Sequence, residues 1–177
     1  MLVIFRGLPG TGKSFLVRRL VERRRELLVL SRDALRVSIV PHPSFDEPEK
    51  AFMDELIIRA AAFLLARGRS VVIDGMALSS AARVGQFVEA AETARAPWRI
   101  IECTCREKTA LERIATGAAS HPAGDRGAGL YFAVKARFEA LPYPSLQVDG
   151  GGDAEGNMDL ILAYMQDTVG DGKRGEK

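Results

Sequence analysis

Short runs of consecutive apolar residues alternate along the chain with longer stretches in which apolar positions recur every three or four residues. The runs Leu2–Phe5, Leu27–Leu30, Ser70–Ile73, Trp98–Cys103 and the less apolar Ser145–Val148 predict five strands. Helical spacing predicts helices over Lys13–Arg25, Asp33–Val40, Glu47–Arg67, Ser79–Arg95, Glu107–Gly117 and Leu130–Leu141, with a last amphipathic one over about Met158–Val169. Strands that are apolar throughout and separated by helices imply a parallel sheet covered on both faces. Punctuation agrees, with Gly68 ahead of the third strand and Pro97 ahead of the fourth. A single α/β domain is expected over residues 1–169, followed by a polar, disordered tail over 170–177.

Composition narrows the class. A chain of 177 residues can build one core, and its 47% hydrophobic and 27% charged residues are those of a globular protein. No apolar run reaches the length of a membrane span, and the four-residue run at Leu2–Phe5 lacks the features of a secretory signal, so a cytoplasmic location is expected. Net charge is +2 and is not gathered into a tail or long patch, so nucleic-acid binding is not implied. The dense run Arg18–Glu26 reads as a solvated helix face. Cys103 and Cys105, with only His42 and His121 as histidines, make a poor zinc site and read as reduced thiols.

Directly after the first strand stands GLPGTGKS, Gly7 to Ser14, with a helix beyond it, which fits the phosphate-binding loop G-x-x-x-x-G-K-[ST] in its proper context. A polyphosphate needs many donors brought close without bulky side chains. The glycines at 7, 10 and 12 allow the tight backbone path, and the helix starting near Lys13 turns its positive dipole end toward the phosphates. The nucleotide-binding stretch is expected to run through Gly7, Leu8, Pro9, Gly10, Thr11, Gly12, Lys13, Ser14 and Phe15. Within it Lys13 would reach the outer phosphates and Ser14 would offer its hydroxyl to Mg²⁺. At the end of the third strand, Asp74 in SVVIDG is placed to hold the same Mg²⁺ through water; its competing role is to cap the loop that follows.

The stretch LSRDALR puts Asp33 just past the second strand and Arg36 one helical turn on. In a doubly wound sheet this position opens onto the crevice that receives ligands at the carboxyl ends of the strands. Asp33 can then accept the proton of an attacking hydroxyl, and the planar fork of Arg36 suits an anionic group on the acceptor. Spacing alone leaves a second role open: Ser31 and Asp33 are good helix caps, and Asp33 with Arg36 can be a surface ion pair worth under about 1 kcal/mol.

The phosphate loop, SRDALRVSIV and VVIDG together resemble the kinase domain of the polynucleotide 5′-hydroxyl kinases and the wider group of small AAA-type P-loop kinases that includes zeta-toxin-like and antibiotic phosphotransferases. The resemblance covers about residues 1–150. It implies a P-loop NTPase fold similar to the nucleoside monophosphate kinases, with a five-stranded parallel sheet in the order 2-3-1-4-5 and a lid over about 105–130. It also implies ATP and Mg²⁺ as cofactors, Asp33 as general base and Arg36 on the acceptor's phosphate. In the lid Arg113 is present, but Gly117 stands where related kinases usually carry a second arginine, and Arg126 is the candidate to compensate. Arg83, after DGMALSS, is a further candidate for acceptor binding, and His42 with Phe45 can line the acceptor pocket. The expected acceptor is a 5′-hydroxyl polynucleotide or a small molecule. A nucleotide-binding module that forms no phosphorylated product is the competing class.

Overall fold

A computed structural model describes residues 1–40, 42–117 and 127–167. Five strands, β1 (Leu2–Arg6), β2 (Leu27–Ser31), β3 (Ser70–Asp74), β4 (Trp98–Thr104) and β5 (Leu146–Asp149), form one sheet in the order β2-β3-β1-β4-β5. Every neighbouring pair is parallel, with Leu2 opposite Val71 on one side and Trp98 on the other. The expected fold is thus the observed one.

Seven helices complete the described residues: α1 (Lys13–Arg23), α2 (Arg32–Ile39), α3 (Glu47–Leu65), α4 (Ala81–Thr93), α5 (Glu107–Gly117), α6 (Ala128–Ala136) and α7 (Ala154–Gln166). Because side chains alternate along a strand, β1 divides its apolar residues between two cores. Leu2 and Ile4 pack with Val71, Ile73 and Ile100 under Ile57, Ala61, Val84 and Phe87 of α3 and α4. On the opposite face Val3 and Phe5 pack with Val72, Ile101 and Cys103 under Leu16, Leu20, Met158 and Ile161 of α1 and α7. Each fully buried side chain of this kind contributes about 1.5–3 kcal/mol of hydrophobic transfer.

Several ends differ from the sequence expectation for local reasons. Helix α7 begins at Ala154, earlier than Met158, because the Asp153 carboxylate accepts hydrogen bonds from the backbone N–H groups of Glu155 and Gly156 and caps it there. Helix α6 stops at Ala136, short of Leu141, because the next residues are drawn to the sheet: the Phe138 ring covers the Arg6 guanidinium at 4.1 Å and the Glu139 carbonyl accepts from Arg6 Nη2 at 2.8 Å. Arg126 and the stretch 170–177 lie outside the described residues.

Candidate active site

The loops that leave β1, β2, β3 and β5 at their carboxyl ends enclose one cleft of about 850 Å³. The phosphate loop forms its floor. Gly7, Gly10 and Gly12 all have positive φ, and an added Cβ on Gly10 would collide with the carbonyl of Ala110, so at that position glycine answers both to backbone conformation and to the packing of α5. The Lys13 ammonium donates to the carbonyl oxygens of Gly7 and Leu8 at 2.8 Å each, which holds it across the mouth of the loop. Thr11 Oγ1 donates to the Leu8 carbonyl at 2.8 Å and braces the same turn. Phe15 stands at the cleft wall and is 45% exposed.

Ser14 Oγ donates to Asp74 Oδ1 at 2.9 Å, so the hydroxyl at the start of α1 and the carboxylate at the end of β3 meet across the sheet. Asp74 reaches the cleft through Ser14 and is not itself among the residues lining it. One hydroxyl and one carboxylate, both hard oxygen donors beside a phosphate loop, fit Mg²⁺, which takes one or two protein oxygens and fills its octahedron with water and phosphate.

On the far wall, α2 starts where β2 ends. Ser31 is the cap, its Oγ accepting from Ala34 N at 3.4 Å, which leaves the Asp33 side chain for the cleft. Asp33 and Arg36 are buried, at 6% and 3% exposure, so they are not the surface ion pair that spacing leaves open. Arg36 Nη1 lies 3.8 Å from Asp33 Oδ1 and Arg36 Nε 2.7 Å from Glu49 Oε1 on α3. The Phe45 ring covers the guanidinium at 5.1 Å. Glu49 Oε2 meanwhile accepts from Ser44 N at 2.6 Å, Ser44 Oγ at 3.1 Å and Phe45 N at 3.2 Å, which holds Phe45 in a left-handed conformation with φ 56°. Burial pushes the Glu49 carboxyl up, but these hydrogen bonds and the charge of Arg36 outweigh it and hold it below its ordinary value.

Arg83 of α4 shares Asp54 of α3 with Arg32: Arg32 Nη1 is 3.1 Å from Asp54 Oδ1 and Arg83 Nη2 is 3.4 Å from Asp54 Oδ2. Arg113 of α5 is tied to the nucleotide floor, its Nη1 donating to the Gly150 carbonyl at 2.9 Å and the Gly10 carbonyl at 3.4 Å. His42 and Phe45 are not among the cleft-lining residues; His42 is exposed and Phe45 serves as the cover on Arg36. Cys103 lies under the loop, and burial pushes its thiol up to about 12, as suits a reduced core residue.

A family model described as an AAA domain matches residues 2–140. The chain belongs to this AAA domain family. No curated protein matches it. Its fold is similar to the APS kinase CysC of Mycobacterium tuberculosis in complex with AMPPNP and APS, at 20% identity and a TM-score of 0.69 over 94% of this chain and 97% of that one. Kti12 of Chaetomium thermophilum in complex with ADP-AlF3 is similar at 18% identity and a TM-score of 0.67, over 94% of this chain and 100% of that one. A gluconokinase from Sinorhizobium meliloti 1021 follows at 16% identity and a TM-score of 0.60, over 92% and 90%.

The AAA domain match ends before β5, yet the turn after β5 completes the cleft. Gly150, Gly152 and Asn157 line it, and Asn157 Nδ2 donates to the Asp149 carbonyl at 2.7 Å to hold the turn in place. The sequence reading assigns no site role to the segment between the fifth strand and the last helix. The usable signal was a second strand–glycine–helix junction, of the same type as the one after β1. Arg32 and Asp54 were also missed, since nothing in the sequence brings residue 32 to residue 54.

Proposed function

We propose that this AAA domain is an ATP- and Mg²⁺-dependent kinase that transfers the γ-phosphoryl group to a hydroxyl. The observation that carries this reading is the convergence of a phosphate loop, the Ser14–Asp74 pair and a buried Asp33 on one cleft. The loop from Gly7 to Phe15 binds the nucleotide, and Lys13 follows the β- and γ-phosphates. Ser14 and, through water, Asp74 would hold Mg²⁺, which when bound would supply positive charge against the phosphates. Asp33 takes the proton of the acceptor hydroxyl as its oxygen bonds to the γ-phosphorus and the β–γ bridging P–O bond breaks, leaving ADP. Arg36 and Arg83 supply positive charge on the acceptor side. Arg113, with Arg126 from the lid, meets the charge of the transferring group.

A cleft of this volume accommodates ATP and a small acceptor, which favours a small molecule over a long 5′-hydroxyl polynucleotide. The test is transfer of label from γ-labelled ATP with Mg²⁺ to two pools, 5′-hydroxyl oligonucleotides and small hydroxyl compounds. Asp33→Asn is expected to lower transfer by at least about a hundredfold while leaving ATP affinity within a factor of about two. Undiminished transfer in that variant would remove Asp33 from the chemistry. Tight ATP binding with no label on either pool would identify a nucleotide-binding module instead.

A further inference from the structure

The loop that leaves β3 connects the separate parts of the cleft. It starts at Asp74, and all of Gly75 to Ser80 lines the cleft. Gly75 has φ 74°, and a Cβ there would stand 2.9 Å from both Asp33 N and Ser31 Oγ, so the loop lies directly against the turn that carries Asp33. Two residues on, the Ala77 carbonyl accepts from Gly7 N at 3.1 Å and joins the loop to the head of the phosphate loop. Any shift of this segment therefore changes how Asp33 and Asp74 stand to the phosphates.

The far end of the loop is held from outside. Leu78 is buried and left-handed, with φ 50°, a conformation that a bulky side chain keeps only where its surroundings impose it. Ser80 is of a type that caps helices, yet its side chain makes no cap bond to α4. Glu139, which follows α6, supplies the cap in its place: its Oε2 accepts from Ala81 N at 2.6 Å, while its own N–H donates to the Ser79 carbonyl at 2.8 Å. These two bonds engage the peptide groups on either side of Ser80 and leave Ser80 at the cleft wall. Glu139 is fixed in turn from the sheet, because Arg6 Nη2 donates to its carbonyl at 2.8 Å and Arg6 is fully buried. Arg6 is the residue before Gly7. A ring of contacts thus runs from the end of β1 through Glu139 to the loop after β3 and back to the phosphate loop.

Resting on the kinase reading above, we infer that Glu139 is a positioning residue for phosphoryl transfer: it sets the loop Gly75–Ser80, and through it the placement of Asp33 and Asp74 against the phosphate loop. Glu139 itself is not among the cleft-lining residues, so it acts without touching nucleotide or acceptor. The role needs an acceptor oxygen at Ala81 N and no charge, which the amide of glutamine can supply and alanine cannot. Displacing a reacting group by about 1 Å can cost about a hundredfold in rate, so a loosened loop is felt in the chemistry before it is felt in binding.

The experiment uses the full chain and three measurements: label transfer from γ-labelled ATP with Mg²⁺ to the two acceptor pools named above, titration with AMPPNP and Mg²⁺, and amide hydrogen exchange over residues 75–82 of the AMPPNP-loaded chain. Glu139→Ala is expected to lower the maximal transfer rate at least about tenfold and to speed that exchange by a similar factor, with AMPPNP affinity within about threefold of the parent. Glu139→Gln should return all three to within about threefold of the parent. Parent-like transfer in Glu139→Ala, or the same loss in both variants, would overturn the inference and leave the kinase reading standing. So would a loss of transfer matched by an equal loss of AMPPNP affinity with exchange over 75–82 unchanged, since Glu139 would then support the nucleotide floor alone. A parent chain that binds AMPPNP but labels neither pool would overturn both.

Discussion

At the scale of single residues the nucleotide side of the cleft depends on two kinds of contact. Lys13 supplies charge: its ammonium donates to the Gly7 and Leu8 carbonyls and so lies within the phosphate loop. Lys13→Ala is therefore expected to weaken ATP by tenfold or more, as loss of a charge-assisted hydrogen bond of about 1.5–3 kcal/mol requires. Gly150 supplies space. A Cβ there would collide with the Thr11 carbonyl, so the turn after β5 lies against the phosphate loop only because residue 150 has no side chain. Gly150→Ala should push that turn outward, weaken ATP by a comparable factor and cost roughly 1–3 kcal/mol of stability, as overpacking does. Calorimetric titration of both variants checks the pair, and an unchanged affinity in Gly150→Ala would take the turn out of the nucleotide site.

Among the elements, α2 and α3 act as one unit held by Glu49. Its carboxylate joins the Arg36 guanidinium to the backbone of Ser44 and Phe45, while Asp46 Oδ1 caps α3 by accepting from Glu49 N at 2.8 Å. Because the Glu49 carboxyl is held below its ordinary value of 4.5, its ionised form stabilises the fold. That contribution is complete above the ordinary carboxylate range and is lost as pH falls through the lowered value. Glu49→Gln should thus unfold at lower temperature than the parent at neutral pH, and the gap should narrow on acidification. A gap independent of pH would mean that the charge contributes nothing.

The same unit shows what could be read from the sequence. The strands were legible because uninterrupted apolar runs such as Val71–Ile73 can be satisfied only by burial on both faces, whereas their order was implied only by the resemblance that the phosphate loop, SRDALRVSIV and VVIDG carry. The phosphate loop was legible because its chemistry is contiguous. The Glu49–Arg36 contact, the Asp54 bridge and the Gly150 wall were not, since each joins segments whose meeting depends on how helices pack. Arg113 was read as a lid cation, and its bond to Gly150 could not be foreseen without the turn it meets.

For the molecule as a whole, the question is how one sheet couples loops from four of its strands. Arg6, fully buried at the end of β1, makes part of that coupling. Its guanidinium is 3.4 Å from Glu102 of β4 and reaches Glu139 beyond α6, so the strand that carries the phosphate loop also holds the chain that leaves α6. Burial lowers the Arg6 pKa, against the raising effect of Glu102 and Glu139. Nucleotide binding should accordingly stabilise the fold as a unit, since a ligand in the cleft touches segments from β1, β2, β3 and β5 at once. A ligand at a hundred times its Kd adds about 2.7 kcal/mol. For a domain of this size each 1 kcal/mol raises Tm by roughly 2–4 °C, so ATP with Mg²⁺ should raise Tm by about 5–10 °C. Removing the metal with EDTA should erase a large part of that rise, because the Ser14–Asp74 pair then faces the phosphates with no cation between them. In Asp74→Asn the shift with ATP should depend much less on Mg²⁺ than in the parent. If the variant and the parent respond to Mg²⁺ alike, the carboxylate at the end of β3 holds the loop through Ser14 and takes no part in binding the metal.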